Sequence, residues 1–177
     1  IEKEKDKAIK IAEDTINNFG TIYKKNWLEM MKKKLGMFGE EAEDENLIKA
    51  LLSWMKQNKA DYTNTFLFLM KEKLSKVELF QDSTFFNWHQ QWQERLKQNN
   101  KPLESSIQLM KKNNPLIIPR NHKVEEALEA ASINVDLLPM LDLLKVLKSP
   151  YSKQKDITAY QDLPEPNEQV YKTYCGT

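Results

Sequence analysis

Residues 113–131 read NNPLIIPRNHKVEEALEAA. Pro115 and Pro119 bracket three aliphatic residues, and a helix opens after Arg120-Asn121-His122. Proline fixes φ and disfavours helix in the residue before it. Residues 114–119 are therefore expected to form an extended connector that ends one helix and aims the next. Leu116, Ile117 and Ile118 are too apolar for a free loop and are expected to be buried. Asn121 has the side chain of an N-cap. Glu125 and Glu126 are placed near the helix start, where the macrodipole favours negative charge.

Working outward, helical periodicity dominates. Ala8, Ile9, Ala12, Ile16 and Phe19 share a face. Gly20 either ends that helix or sits inside a longer one, and Tyr23, Trp27, Met30 and Met31 continue the spacing to about Leu35. Leu35-Gly36-Met37-Phe38-Gly39 reads as a helix end and turn. The acidic run Glu40–Glu45 precedes a helix carrying Leu47, Ile48, Leu51, Leu52 and Met55. Asp61 and its neighbours cap a helix through Phe66 and Met70. Asp82, Ser83 and Thr84 cap another with Phe85, Trp88, His89 and Trp92 near one face. A short helix follows from about Leu103 to Lys111. Beyond the connector, Val124, Ala127, Leu128 and Ala131 form a stripe expected to be buried. Asp136 caps a leucine-rich helix with Pro139 in its first turn, and Lys148-Ser149-Pro150 stops it. With no strand alternation and no repeat, the fold class is all-α. About seven or eight helices over residues 1–149 are expected, then an irregular tail, 150–177, packing on them.

The 177 residues suffice for one domain with a core, and the balance of 27 basic and 26 acidic residues gives no field that favours nucleic acid or anionic lipid. No apolar run nears the roughly 18 residues of a membrane helix. A single cysteine, Cys175, excludes an internal disulfide framework and suggests a reducing, cytoplasmic setting. The first residue is Ile1, which suggests a processed product or a piece of something longer.

Candidate chemistry is sparse. The acidic run lacks the alternating oxygens and central glycine of a calcium loop. His89, on an aromatic face, reads as a core or rim residue. Arg120 and His122 at a helix start could form an anion site, although Arg120 equally suits hydrogen bonds to connector carbonyls. Trp27, Trp54, Trp88 and Trp92 read as core packing rather than a base-stacking platform. No phosphate-binding glycine loop, nucleophile elbow or metal spacing occurs.

The same connector, Asn114-Pro-Leu-Ile-Ile-Pro-Arg-Asn-His-Lys-Val-Glu, resembles the C-terminal region of the selenoprotein O family. Lys34-Leu-Gly-Met resembles the family's KLGL segment. Asp61-Tyr-Thr-Asn-Thr-Phe resembles its D-x-T-x-T-F segment, and Ser149-Pro-Tyr its proline-aromatic stop. Tyr174-Cys-Gly-Thr resembles its terminus, where some members carry selenocysteine and others cysteine at the position of Cys175. These pieces occur in the family's order over nearly the whole chain. Departures lie at Ile133-Asn134-Val135-Asp136, where many members have a Gly-Asp pair, and at Leu163-Pro-Glu-Pro, where adjacent prolines are common.

The resemblance implies a C-terminal helical part of a larger kinase-like (pseudokinase) protein that transfers AMP from ATP, with Mg²⁺, to Ser, Thr or Tyr hydroxyls. The nucleotide, metal and base residues are then expected upstream, since no counterpart stands in these residues. No catalytic, cofactor or metal residue is assigned here. The upstream kinase-like core is the implied partner, alongside the protein substrates, and an isolated piece could also pair with a second copy. Asn114, Pro115, Pro119, Arg120, Asn121 and His122 are expected to be structural. Cys175 is the redox candidate, which in the family pairs with a cysteine near the activation segment. The location implied is cytoplasmic, or mitochondrial for a eukaryotic parent. The alternative reading is a free-standing helical interaction domain.

Overall fold

Three lysines, Lys32 to Lys34, fill the last turn of the first helix, where positive charge suits the helix dipole. That helix, α1, runs Lys5–Lys34. Gly36 ends it at φ +70°, with its N–H bonded to the carbonyl of Lys33 and that of Met37 to Lys32. This pair of back-bonds is the Schellman closure. The computed structural model describes residues 4–71, 78–155 and 157–165. Gly20 lies inside α1, with nothing near a Cβ placed on it, so the longer of the two helices left open by the sequence is the one that forms.

The other described helices are α2 (Asp44–Gln57), α3 (Tyr62–Leu69), α4 (Ser83–Lys97), α5 (Leu103–Asn113), α6 (Asn121–Ile133), α7 (Leu138–Leu147) and the single turn α8 (Thr158–Gln161). A 3-10 turn at Glu78–Gln81 leads into α4. No strand occurs among the described residues, so the all-α expectation holds. Asp61 and Asp82 cap α3 and α4 by accepting from the amides of Asn64 and Phe85 at 2.8 and 3.0 Å, as their side chains foretell.

The core forms where α2 meets α4 and the end of α1 meets α5. Ile48, Leu51, Trp54 and Met55 of α2 close on Phe85, Trp88, Trp92 and Leu96 of α4, with Met31, Leu35 and Met110 beneath. Aromatic contacts dominate: Phe68 stacks on Phe80 at 3.6 Å between centroids, and Trp54 meets Phe85 at 4.6 Å. Each buried indole finds an acceptor, as an N–H withdrawn from water requires. Trp54 donates to Asp82, Trp88 to the Leu47 carbonyl and Trp92 to the Leu35 carbonyl. Trp27 is half-buried against the same core.

Several local expectations need correction. α6 starts at Asn121, which is exposed, and the capping position belongs to Arg120 without a side-chain cap. Glu125 and Glu126 fall beyond the first turn, which holds no acid. Of the expected α6 stripe only Ala127 is buried, while Leu128 is 52% exposed. α6 packs against α7, and that contact settles which side of α6 is covered. In the connector Ile117 is buried, whereas Leu116 and Ile118 are half-buried. The tail also contains the α8 turn, and Ile157 beside it is buried. Residues 166–177, with Cys175, lie outside the described residues.

The scarcity of glycine has a structural consequence. Lys59 and Val135 occupy the left-handed region at φ 51° and 55°. Each sits just past a helix, and the following amide reaches back, Ala60 to Met55 and Asp136 to Ala130. For a β-branched residue this conformation is strained. Val135 is also 84% exposed, so its side chain contributes little packing. V135G is therefore expected to raise stability by about 1 kcal/mol, read as an increased urea midpoint at unchanged slope.

Candidate functional site

The connector is held from four directions. The amides of Leu116 and Ile117 donate to the carbonyl of Pro150, at 2.7 and 3.3 Å, so the proline stop after α7 pairs with it. The Gln161 amide donates to the Leu116 carbonyl, while Asn64 of α3 donates to the Gln161 carbonyl. At one end the Asn114 side chain donates to the carbonyls of Lys34 and Met110, tying the end of α1 to the end of α5. Its Oδ1 is buried without a partner.

At the other end, the Arg120 guanidinium meets the Asp61 carboxylate through two bonds of 3.1 and 3.0 Å. Burial pushes the Asp61 carboxyl up, but the bonds from Arg120 and the Asn64 amide outweigh it and hold the group below the ordinary carboxylate range. Asp61 thus does two jobs: it caps α3 and anchors the connector. Arg120 bonds this distant carboxylate, not the connector carbonyls expected for it. Planar fork-to-carboxylate pairing explains the choice. Its two terminal nitrogens face Asp61, and its Nε is buried with no partner. His122, the second residue of α6, is buried. Pro115 is half-buried and Pro119 exposed, flanking the aliphatic residues.

A second buried polar cluster was not legible as such in the sequence. Arg95, on the inner face of α4, donates to Asp44, to the Phe38 carbonyl and to Asn99. Asn99 donates to the Gly36 carbonyl and to Ser106, and accepts from the Phe38 amide. Lys32 Nζ stands 3.7 Å from Asp44. Burial pushes the Asp44 carboxyl up, yet the Arg95 hydrogen bond, the Glu41 amide and the two cations hold it below its usual range. The acidic run therefore turns one residue inward to brace the α1–α2 turn against α4. One signal pointed here: Arg95 follows Trp88 and Trp92 at helical spacing, so a cation sits on an apolar face.

Lys34 is a further buried cation. Its ammonium donates to the Asn113 carbonyl at 3.2 Å and lies 4.8 Å from the Phe66 ring centroid and 5.4 Å from that of Tyr62. Burial lowers its pKa and raises that of Tyr62. His89 packs between Phe85 and Trp92, at 6.0 and 5.2 Å, and burial lowers its pKa.

Among the described residues, no three His, Cys, Asp or Glu side chains gather as a metal-ligand set. The two inward carboxylates, Asp44 and Asp61, are each engaged by an arginine. These residues do not fit a Mg²⁺–nucleotide site. No helix among them is long and apolar enough to cross a membrane. The arrangement is chemically a bracing system: two arginine–aspartate pairs and two asparagines fix the helix ends to one another.

A family model described as protein adenylyltransferase SelO matches residues 7–148. Curated relatives are similar over nearly the whole chain. A protein nucleotidyltransferase YdiU of Nitrosococcus oceani is 45% identical over 172 residues, covering 97% of this chain and 35% of the relative. Those of Bacillus cytotoxicus and Clostridium perfringens are 47% and 48% identical, also over 172 residues with the same coverage. The chain spans about a third of the length of these relatives. A match of this extent and identity settles the resemblance carried by the connector and its accompanying motifs: the chain belongs to the SelO protein adenylyltransferase family.

Proposed function

We propose that this chain is the C-terminal helical part, residues 1–149 with a tail of 150–177, of a protein adenylyltransferase. In this reading the full-length protein transfers AMP from ATP to Ser, Thr or Tyr hydroxyls of other proteins, using Mg²⁺, in the cytoplasm. The substrate oxygen bonds to the α-phosphorus of ATP, the α–β phosphoanhydride bond breaks, and pyrophosphate leaves. The hydroxyl proton passes to a base in the upstream kinase-like core. The residues described here bind neither nucleotide nor metal; they support that core.

One observation carries the reading: strong family similarity over nearly the whole chain, in a region where the described buried charges Lys32, Lys34, Asp44, Arg95 and Arg120 tie helix ends and turns together. A region built for bracing suits a supporting role. The test uses the full-length protein with Mg²⁺ and ATP labelled at either the α or the γ phosphate, with candidate protein substrates. Protein-bound α label without γ label is the expected result. Bound γ label without α label would mean phosphoryl transfer and would replace the reading. No label of either kind, in reducing and in oxidising buffer, would favour a helical interaction domain instead. The two buffers also read Cys175, the redox candidate of this proposal: an oxidant-dependent rate lost in C175S is expected.

A further inference from the structure

Every residue of α1 from Ile9 to Asn26 is exposed, so this part of the helix is covered on no side among the described residues. It is about 27 Å long at 1.5 Å per residue. Its sequence is not that of a helix built to stand in water. Ile9, Ile16 and Tyr23 repeat at seven-residue spacing with Phe19 between them, and they are 46, 72, 60 and 66% exposed respectively. Phe19 and Tyr23 stack on each other at 6.1 Å. Ile22 flanks the ridge beside Phe19, whereas Ile11 lies off it, and both are 57% exposed. Lys10, Asp14, Asn17 and Lys25 lie on the opposite side. In proteins most helical stability comes from packing an apolar face. An apolar ridge left open on a soluble domain marks an interaction surface.

We propose that the Ile9–Ile16–Phe19–Tyr23 ridge of α1 is the docking surface for the upstream part of the full-length protein. This rests on the reading of the chain as part of a longer adenylyltransferase. The length of chain involved argues for that occupant over others. The matched relatives carry nearly two-thirds of their residues outside the aligned region. α1 is the first element described, so residues preceding it in a protein of that length enter at the far end of the ridge. An intramolecular partner arrives at high effective concentration, so a modest interface suffices to seat it. The other end of α1 is already fixed, through Trp27, Leu28, Met31 and Leu35, to the core. α1 would then join the two parts as one continuous rod, apolar on the upstream side before residue 24 and on the domain side after it.

The test is made on the full-length protein, with the photoreactive amino acid benzoylphenylalanine in place of Phe19 and, separately, of Asn17. The two positions point to nearly opposite sides of the helix. After irradiation and mass spectrometry, position 19 is expected to crosslink to residues preceding this region in the same chain, and that crosslink is lost at position 17. Crosslinks joining two copies would overturn the proposal in favour of a dimer face. Crosslinks confined to residues 1–177, or none from position 19, would overturn it outright. The α-labelled ATP assay is run on the same samples. An upstream crosslink without label transfer keeps the docking surface while removing the enzymatic reading; label transfer without an upstream crosslink does the reverse.

Discussion

R95M is expected to lower the unfolding free energy by about 3–5 kcal/mol, because it leaves a buried carboxylate without its counter-charge. Asp44 and Arg95 are 3% and 6% exposed, so water cannot take over the lost bonds. Phe38 and Asn99 lose a donor in the same substitution. Lys32, at 3.7 Å from Asp44, offers only partial compensation. The measurement is urea unfolding of the wild type, the single variant and the double variant D44L/R95M. Removing both charges takes away the unpaired carboxylate, so the double variant should recover part of the loss, with Lys32 then lacking its carboxylate partner. If the single variant unfolds within about 1 kcal/mol of wild type, the pair is no better than a surface salt bridge, and the bracing role assigned to it fails.

G36A is expected to cost about 2–4 kcal/mol, combining left-handed strain with overpacking of a close contact. A Cβ on Gly36 would lie 2.8 Å from the Ser106 carbonyl oxygen and 3.0 Å from Cγ of Met110. The first of these is backbone, so α5 itself has to move away from α1. Gly39 supplies the control. It has the same φ of +70° but nothing within 4 Å of its Cβ position. G39A therefore carries the strain alone and should cost about 1 kcal/mol. The difference between the two variants measures the close approach of α5 to the α1 end. Equal costs would show that the approach contributes nothing. Because the same α5 contact seats Asn99 on the Gly36 carbonyl, the G36A loss should not add independently to that of R95M.

Much of the helix pattern was present in the sequence, since its signals act within a turn or two of chain. Asp61 and Asp82 cap the helices they precede, Pro139 occupies a first turn, and the two prolines of the connector keep it extended. These outcomes follow from φ restriction and from amides that need an acceptor wherever the helix starts. The ordered motifs from Lys34 to Pro150 were equally readable, and they carried the family assignment. Asn121 misled because a capping side chain is only a competitor: the backbone went helical one residue earlier, with Arg120 drawn to a stronger partner.

What the tertiary structure alone decided is which faces meet. Arg120 bonds Asp61 from 59 residues away and Arg95 bonds Asp44 from 51; periodicity marks a face as apolar or charged but carries no address for its partner. The same limit applies to Leu128, to Leu138, Leu141 and Leu144 of α7 and to the α1 ridge, which look like core in one dimension and stand exposed here. Burial depends on the sum of contacts from every neighbouring element, including those supplied by other parts of a protein. Val135 shows the converse: the packing of α6 on α7 and the back-bond of Asp136 impose a backbone conformation that valine disfavours. A helix was therefore written locally, residue by residue, whereas the contacts that join the described helices arose only when apolar faces and charges far apart in the chain met out of water.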